Sequence, residues 1–416
     1  MKQAEKMTAH GWAMVLLACL IMSTQYISNN AWNYGYTAAY KTWGITLMQI
    51  GAMASAAQLA KTLTNFFGGF LVEKFGYKPC LLACGAGFAA VPILTVFLYR
   101  SYVALFILRI LAGAFSCCLY AGANLMAFEN LPPQNRALAH GVILTGPNVG
   151  IVLGSAIIPG VITSRGWQAG FIVAGIIVAI VVVAFAIMVK GGTKKTEEAE
   201  KEQRPADYTK AVIKACLTKN WLLGTLANFL IVGIVMGLGT YLTLFLTEEK
   251  GFSLVQAGAI TAAASLVGFF ANSASGILSD AIRSRKWVVI PSILLYGLSV
   301  YGFTVFDSVA ALIACVFIKD SAFLFATRPL NVMVAESVPG DYMASTSGIY
   351  NALSFFGSSF SPIIFGAVLT ATGKYSSILY TTAAITVLVA FIELFMTETW
   401  TGKSLRSAKS EESAEA

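Results

Sequence analysis

Five ionisable side chains lie deep within long apolar stretches of the chain, where a charge is expensive. Such a residue costs about 2.5–3.5 kcal/mol at the centre of a membrane helix, so it persists when it faces water or another charge. Four are cations and one is an anion: Lys61, Arg109, Lys319, Arg328 and Asp320. This excess of cations favours an anionic ligand, and the planar fork of arginine suits a carboxylate. We therefore predict a site for a small organic anion, with Asp320 taking a coupling proton or pairing with Arg109 or Arg328.

Uncharged polar residues extend the predicted site. Those in the first apolar stretch share one helix face, because residues at i, i+4 and i+8 lie above one another. Asn331 lies within about 20° of Asp320 at about 100° per residue. The substrate-binding set therefore also contains Gln25, Asn29, Asn33, Tyr36, Asn124 and Asn331. Two alternatives stay open: hydrogen bonding between helices for the first-span residues, and pairing with a neighbouring helix for Lys319.

The apolar stretches that must position these residues recur along the whole chain. Of 416 residues, 57% are hydrophobic and 12% are charged, with a mean hydropathy of +0.73, whereas soluble domains carry about 25% charged residues. A helix needs about 20 apolar residues to cross a bilayer, and barrel strands would alternate in polarity instead. The sequence predicts an all-α membrane protein with twelve transmembrane helices, at 12–38, 46–72, 78–98, 101–128, 136–164, 167–190, 220–246, 253–281, 286–306, 309–335, 342–371 and 375–397.

Lysine and arginine are distributed unevenly between the loops, which predicts the orientation. With both termini in the cytoplasm, the cytoplasmic segments hold 19 of these residues and the outer loops hold 5. We predict a multi-pass protein of the cytoplasmic (inner) membrane with both termini in the cytoplasm. Because the basic residues are dispersed without aromatic neighbours, the net charge of +8 does not indicate nucleic-acid binding.

The two halves of the chain repeat one unit. A polar, mixed-charge segment separates them, and residues recur across it at a constant offset of 207: Gln49 returns as Gln256, and Asn124 returns as Asn331. Such internal duplication is typical of secondary transporters. We predict an N-terminal six-helix bundle, a cytoplasmic linker, a C-terminal six-helix bundle and a cytoplasmic tail, at 1–190, 191–219, 220–397 and 398–416.

The loop after the second predicted helix carries the motif GFLVEKFGYK at 69–78, which resembles a motif of the major facilitator superfamily. The resemblance extends over essentially the whole chain. The equivalent loop of the second half reads GILSDAIRSR, in which Ala281 and Arg283 depart from the pattern. The resemblance implies two pseudo-symmetric six-helix bundles that alternate in access. It also implies a cytoplasmic gate, in which a carboxylate near a helix N-terminus is stabilised until the halves part. The gating residues would be Glu73, Lys74, Lys78, Asp280 and Arg285.

Other functions stay possible or are excluded at this point. An exporter of cationic or hydrophobic compounds would use Asp320, a carrier of sugars would use the polar residues of the first span, and a membrane receptor would not transport. Oxalate–formate and monocarboxylate carriers of this superfamily place cations in the eighth or eleventh helix, where this chain has none.

With two histidines and no phosphate-binding loop, the sequence predicts no enzyme, no cofactor and no metal site. The expected partners are a solute, a coupling proton or sodium ion, and the lipid bilayer, for a monomer.

Overall fold

The chain folds as an assembly of α-helices. The computed structural model describes residues 9–130, 142–189, 208–339 and 342–399, and these ranges contain no β-strand, which confirms the predicted all-α class. The helices, numbered in chain order, are α1 (Ala9–Trp43), α2 (Leu47–Phe75), α3 (Tyr77–Leu98), α4 (Tyr102–Ala114), α5 (Leu119–Asn130), α6 (Gly146–Arg165), α7 (Trp167–Met188), α8 (Tyr208–Cys216), α9 (Lys219–Leu244), α10 (Leu254–Ile282), α11 (Lys286–Val305), α12 (Val309–Glu336), α13 (Met343–Thr372) and α14 (Tyr375–Leu394). A short π-helical segment, Phe245–Glu249, continues α9.

The helix ends agree with most of the predicted spans to within a few residues. In the described part of the chain, ten segments are long and apolar enough to cross a membrane. The second and eighth spans, α2 and α10, have 29 residues each, or about 44 Å at 1.5 Å per residue. These two spans occupy equivalent places in the two halves. They contain more small and polar residues than the ten segments, and they are not among them. They also form most of the contact between the halves, as described below.

Two predicted spans contain an interruption that the sequence did not predict. The fourth is confirmed as one candidate membrane span, Tyr102–Met126, but a turn at 115–118 divides it into α4 and α5. In the fifth, a turn at 144–145 follows helical residues 142–143, and Gly146 and Pro147 then begin α6. Proline fits the first turn because its missing N–H is not needed there. Positions 136–141 of that span, 191–207 of the predicted linker and 400–416 of the predicted tail lie outside the described residues.

The duplication is visible in how the helices begin. Thr46 caps α2 and Ser253 caps α10, and each exchanges hydrogen bonds with a glutamine three residues later in a capping box. A glycine with positive φ precedes each cap, Gly44 at 68° and Gly251 at 71°, a conformation that residues with a side chain adopt rarely. The recurring glycines and glutamines therefore build the same turn twice, which explains why they share the 207-residue offset.

The two halves pack together at the end of the molecule where these turns lie, which we call the closed end. Gly51 of α2 packs against the backbone of Pro362 in α13, and the equivalent Gly258 of α10 packs against Pro159 in α6. Ser55 accepts a hydrogen bond from the backbone N–H of Ile363 at 3.0 Å. Because glycine has no side chain, it lets the helix backbones approach closely at both equivalent contacts.

At the opposite end, the same faces of α2 and α10 are unpacked, and we call this the open end. Gly69 lies 18 residues after Gly51, which is five turns at about 100° per residue, so the two glycines share one face. The same spacing joins Gly276 to Gly258. A Cβ atom at Gly69 or Gly276 would meet no atom of the described residues within 4 Å. The halves therefore separate toward the loops that carry the duplicated motif.

Candidate functional site

Arg109 is held in the first half between α4 and α1. Ser101 caps α4 by accepting from the backbone N–H of Ala104, and the apolar turns that follow place Arg109 in the interior, 6% exposed. Its Nη1 donates a hydrogen bond to Asn29 Oδ1 at 3.3 Å, and its guanidinium carbon lies 5.1 Å from the centre of the Trp32 ring. Both partners are uncharged. No carboxylate lies within ion-pair distance of Arg109 in the described part of the chain.

Three hydrogen-bond donors near this guanidinium are buried and lack acceptors among the described residues. They are Nε of Arg109, Nε1 of Trp32 and the hydroxyl of Tyr36. The Tyr36 and Trp32 rings pack at 5.6 Å, and the Tyr36 hydroxyl interacts electrostatically with Arg109. Buried polar groups are nearly always satisfied, so a cluster of free donors needs an explanation. We refer to Arg109, Asn29, Trp32 and Tyr36 as the Arg109 pocket.

The other predicted residues of the first half have separate surroundings. Gln25 is buried and Asn33 is half-buried on the same helix as Asn29. Lys61 of α2 is half-buried, with its ammonium 5.9 Å from the Tyr26 ring and no acid beside it in the described chain. Asn124 of α5 is buried and interacts with another residue. The neighbouring Asn30, which we did not assign to the site, bonds to the backbone of Ile151 and thus joins two helices.

In the second half, Asp320 is paired within its own helix. Its carboxylate forms an ion pair with the adjacent Lys319, whose ammonium also lies 5.9 Å from the Tyr296 ring of α11. The expected pairing of Asp320 with Arg109 or Arg328 is therefore not seen, because Lys319 is closer and its long side chain reaches the carboxylate. Arg328 is exposed and interacts electrostatically with Tyr120 of the first half.

Hydrogen bonds between helices fix the remaining polar residues of the second half. Tyr350 of α13 donates from its hydroxyl to Asn331 Oδ1 at 2.7 Å. Asn228 of α9 donates to Ser354 Oγ at 2.9 Å. Neither Asn228 nor Tyr350 belongs to the predicted set, and both are buried. The Asn331 amide is thus oriented by Tyr350, and only Asn331 of these residues is partly accessible.

Among the described residues, the predicted gating residues of the second half form an ion-pair network. Arg285 lies 2.7 Å from Glu336 and 3.5 Å from Asp280 in ion pairs, and hydrogen bonding to Glu336 raises the pKa of Arg285. In the first half, Glu73 and Lys74 are exposed and Lys78 is half-buried. Within the described ranges, these three residues form no ion pair. The structure brings Asp280 and Arg285 together and leaves their first-half equivalents apart.

Residues at the closed end were missed by the sequence analysis, although the offset contains them. Tyr34 and Tyr241 are equivalent, and both are buried. The Tyr241 hydroxyl contacts the carbonyl oxygens of Leu47 at 2.9 Å and Pro362 at 3.0 Å. The Tyr34 hydroxyl interacts with Ser155 of the first half and Thr261 of the second. Extending the 207-residue comparison to tyrosines would have identified this pair of bridges.

A charged pair at the same end also follows the offset. Lys41 and Glu248 occupy equivalent positions in the two halves, and their side chains form an ion pair at 3.1 Å. Glu248 further accepts hydrogen bonds from the Tyr40 and Tyr375 hydroxyls at 2.8 and 2.9 Å. Glu248 therefore connects α1 of the first half to α9 and α14 of the second.

Two further features of the interior were not predicted. Glu393 of α14, which the sequence places near the membrane surface, is 0% exposed, and its two oxygens have no hydrogen-bond partner among the described residues. Cys84, Cys117 and Cys118 place their sulfur atoms within 4.8 Å of one another, close enough to share a soft metal ion. The expectation of no metal site relied on sequence spacing, which could not detect that α3 and the turn after α4 bring these cysteines together.

Comparison with known proteins places this helical assembly in a family. The sequence matches the family described as Major Facilitator Superfamily over residues 14–362 and 256–415. A bacterial homologue of the human lysosomal transporter Spinster, solved in an inward-facing and occupied conformation, has a similar fold, with a TM-score of 0.78 at 14% identity over 94% of this chain and 97% of that one.

Curated relatives cover most of this chain at low identity. A probable sulfoacetate transporter of Cupriavidus necator is 24% identical over 90% of both chains. A probable galactarate/D-glucarate transporter of Bacillus subtilis is 22% identical over 90% of this chain and 89% of its own. The oxalate:formate antiporter of Oxalobacter formigenes is 24% identical over 91% and 88%, although this chain lacks cations in α10 and α13.

Proposed function

Because the chain belongs to the major facilitator superfamily, we propose that it carries a small organic anion, such as a carboxylate, across the membrane. The family makes the chain a multi-pass membrane transporter and not an enzyme, in agreement with the sequence analysis. The proposal adds the class of substrate, and an ion gradient or exchange supplies the energy. We further propose that the closed end faces outward, because the distribution of lysine and arginine places the open end in the cytoplasm.

The Arg109 pocket carries this proposal. Its guanidinium is buried beside two other donors that lack acceptors, and no described carboxylate neutralises it. A bound carboxylate would supply a negative charge and two oxygens able to accept from Nε of Arg109 and the Tyr36 hydroxyl. Charge-assisted hydrogen bonds of this kind are about twice as strong as neutral ones. A neutral solute would leave the charge of Arg109 uncompensated.

The remaining interior charges support the same class of substrate. Lys319 and Asp320 neutralise each other. Lys61 and Arg328 have no ion-pair partner within the described ranges, so the interior keeps an excess of positive charge. We propose that Lys61, Arg328, Asn331 and the first-span residues Gln25 and Asn33 complete the route or the binding site. An exporter of cations has less support, because its expected acid, Asp320, is already paired.

The names of the relatives are consistent with this substrate class. Sulfoacetate, galactarate, glucarate, oxalate and formate all contain a carboxylate. Identities of 22–24% do not transfer a particular substrate, so the proposal for this chain is limited to the shared carboxylate. Asp320 remains the candidate for coupling that the sequence suggests. Glu73, Lys74, Lys78, Asp280 and Arg285 remain the candidates for a gate at the open end.

Uptake into proteoliposomes tests the proposal. Replacing Arg109 by glutamine should lower carboxylate uptake by at least about tenfold, because a hydrogen bond to a charged group contributes about 1.5–3 kcal/mol and 1.4 kcal/mol is a tenfold change. Arg109→Lys keeps the charge but loses the fork, so it should retain part of the uptake. Arg100→Gln is the matched control, since Arg100 is exposed outside the spans. Unchanged carboxylate uptake by Arg109→Gln, or wild-type uptake of sugars only, contradicts the proposal.

A further inference from the structure

Glu393 is the most deeply buried charged residue that the structure describes, and the Arg109 pocket does not involve it. It is the penultimate residue of α14, with 0% exposure and no hydrogen-bond partner for either oxygen among the described residues. An ionised carboxylate in such a position pays a large desolvation cost, whereas a neutral carboxyl group costs far less. The geometry therefore stabilises the protonated form of this side chain.

Two titratable groups act on Glu393 from the helices packed against α14. Lys286 of α11 interacts with it electrostatically, but the Lys286 ammonium is bound to the carbonyl oxygens of Leu394 at 2.6 Å and Met396 at 2.9 Å. The second group is Tyr350 of α13. From α9, which also packs against α14, no described titratable side chain interacts with Glu393. The Lys286 ammonium is thus near Glu393 but forms its hydrogen bonds with backbone carbonyl oxygens.

Tyr350 connects the buried carboxyl group to the central face of α12. Its hydroxyl donates to Asn331, which is partly accessible and shares a face with Asp320. Tyr350 itself is 3% exposed. A change in the orientation of Asn331 therefore affects a side chain that interacts electrostatically with Glu393.

We propose that Glu393 is a proton-binding site that couples proton movement to the transport cycle. In the conformation seen here, the carboxyl group holds its proton. When the second half rearranges, the proton passes to water at the open end and leaves a carboxylate on Glu393. Lys286, released from the carbonyl oxygens of Leu394 and Met396, then becomes its counter-ion. The coupling role rests on the proposed transport of a solute, but the binding of the proton does not.

Infrared spectroscopy of the purified protein tests the proton site without any solute. Wild-type protein should show a protonated-carboxyl band at neutral pH, and Glu393→Gln should lose it. Asp320→Asn and the exposed Glu249→Gln are matched controls that should keep the band. Glutamine resembles the neutral acid in shape, so Glu393→Gln should melt at the wild-type temperature or above. A spectrum of Glu393→Gln identical to that of the wild type, or loss of the band in Asp320→Asn instead, overturns the proposal.

Transport assays test the coupling. Glu393→Gln should retain solute exchange between equal pools within about twofold, because exchange requires no net proton movement, while accumulation driven by a pH gradient should fall to the level without a gradient. Accumulation by Glu393→Gln that equals the wild type, or wild-type accumulation driven by sodium alone, contradicts coupling through Glu393. If wild-type protein exchanges no carboxylate, the proposed substrate fails, and the infrared result still decides whether Glu393 binds a proton.

Discussion

The closed and open ends of α2 and α10 present the same type of residue in opposite situations. Gly51 and Gly258 are packed against backbone of the other half, whereas a Cβ atom at Gly69 or Gly276, on the same faces, would contact nothing in the described part of the chain. Since all four residues are glycine, side-chain size cannot decide which end is packed. The relative tilt of the two halves decides it. The chain therefore carries small residues for close approach at both ends but uses only one set in this conformation.

This difference supports the proposal that the open end closes during transport. About 27 Å of helix separate the paired glycines at 1.5 Å per residue, which is close to the thickness of a bilayer core. Rocking one half against the other would pack Gly69 and Gly276 while releasing Gly51 and Gly258. Substitutions at either end should therefore change which end of the molecule is packed.

The largest effect is expected from filling the space at the open end. Gly69→Trp should leave folding nearly unchanged, within about 0.5 kcal/mol, because surface substitutions without contacts have small effects. Its indole should nevertheless prevent closure, so net uptake should fall by at least about tenfold, while a ligand still stabilises the protein. Uptake and ligand-dependent melting temperature measure the two effects.

Gly160→Trp is the control for this substitution, since Gly160 of α6 also faces open space but lies outside the α2 and α10 faces. It should transport at the wild-type rate. Gly276→Trp should reproduce the block from the second half. Normal net uptake by both Gly69→Trp and Gly276→Trp would show that the open end does not need to close.

A smaller effect is expected from overfilling the closed end. Gly51→Leu places a side chain against Pro362 and the Tyr241 hydroxyl, and overpacking typically costs about 1–3 kcal/mol. The cost falls on the packed conformation alone, so the population should shift toward separation of this end. Distances between spin labels at the exposed positions of Thr42 and Glu249, measured by double electron–electron resonance, should lengthen. Gly258→Leu should act likewise, and an unchanged distance distribution in both variants would contradict the packing described here.

The sequence predicted the helices and their duplication well, because both depend on local properties. Apolar length defines a span, and a Thr or Ser followed by a glutamine defines the start of α2 or α10. The division of the fourth span at 115–118 was not predictable in this way. There, Gly68 of α2 packs on the backbone of Cys117, and hydropathy carries no information on contacts between helices.

The partners of the charged residues were predicted less well, for the same reason. Helical phase placed Asp320 on the central face, but the choice of Lys319 as its partner depends on packing against Tyr296. Glu393 lies one residue before the end of α14, a position from which the sequence alone does not indicate burial. The beginnings of α9 and α11 cover that end, with Asn220 bonded to Thr397 and Lys286 bonded to Leu394, and this arrangement is not encoded in α14.

The two copies of the loop motif show a related limit. The first copy matches the family pattern fully, yet Glu73 and Lys78 form no ion pair in the described chain. The second copy is incomplete, yet Arg285 binds Glu336, a residue far outside the motif. Motif completeness therefore did not predict the network of the second half, because the partner Glu336 comes from another helix.

The smallest effect is expected at the ion pair of Lys41 and Glu248 at the rim of the closed end. Lys41 and Glu248 are equivalent by the 207-residue offset, and identical charges at these positions would repel across the pseudo-symmetry axis. Lys41 has a side chain that is 76% exposed, so a double-mutant cycle of Lys41→Ala and Glu248→Ala in thermal unfolding should give only a weak coupling. Glu248→Ala alone should cost more, because the Tyr40 and Tyr375 hydroxyls also lose their acceptor. A coupling as large as the loss in Glu248→Ala alone would mean that the rim locks the closed end. A weak coupling fits a contact that must break in every cycle, since a transporter held shut by its rim could not expose the Arg109 pocket to both sides.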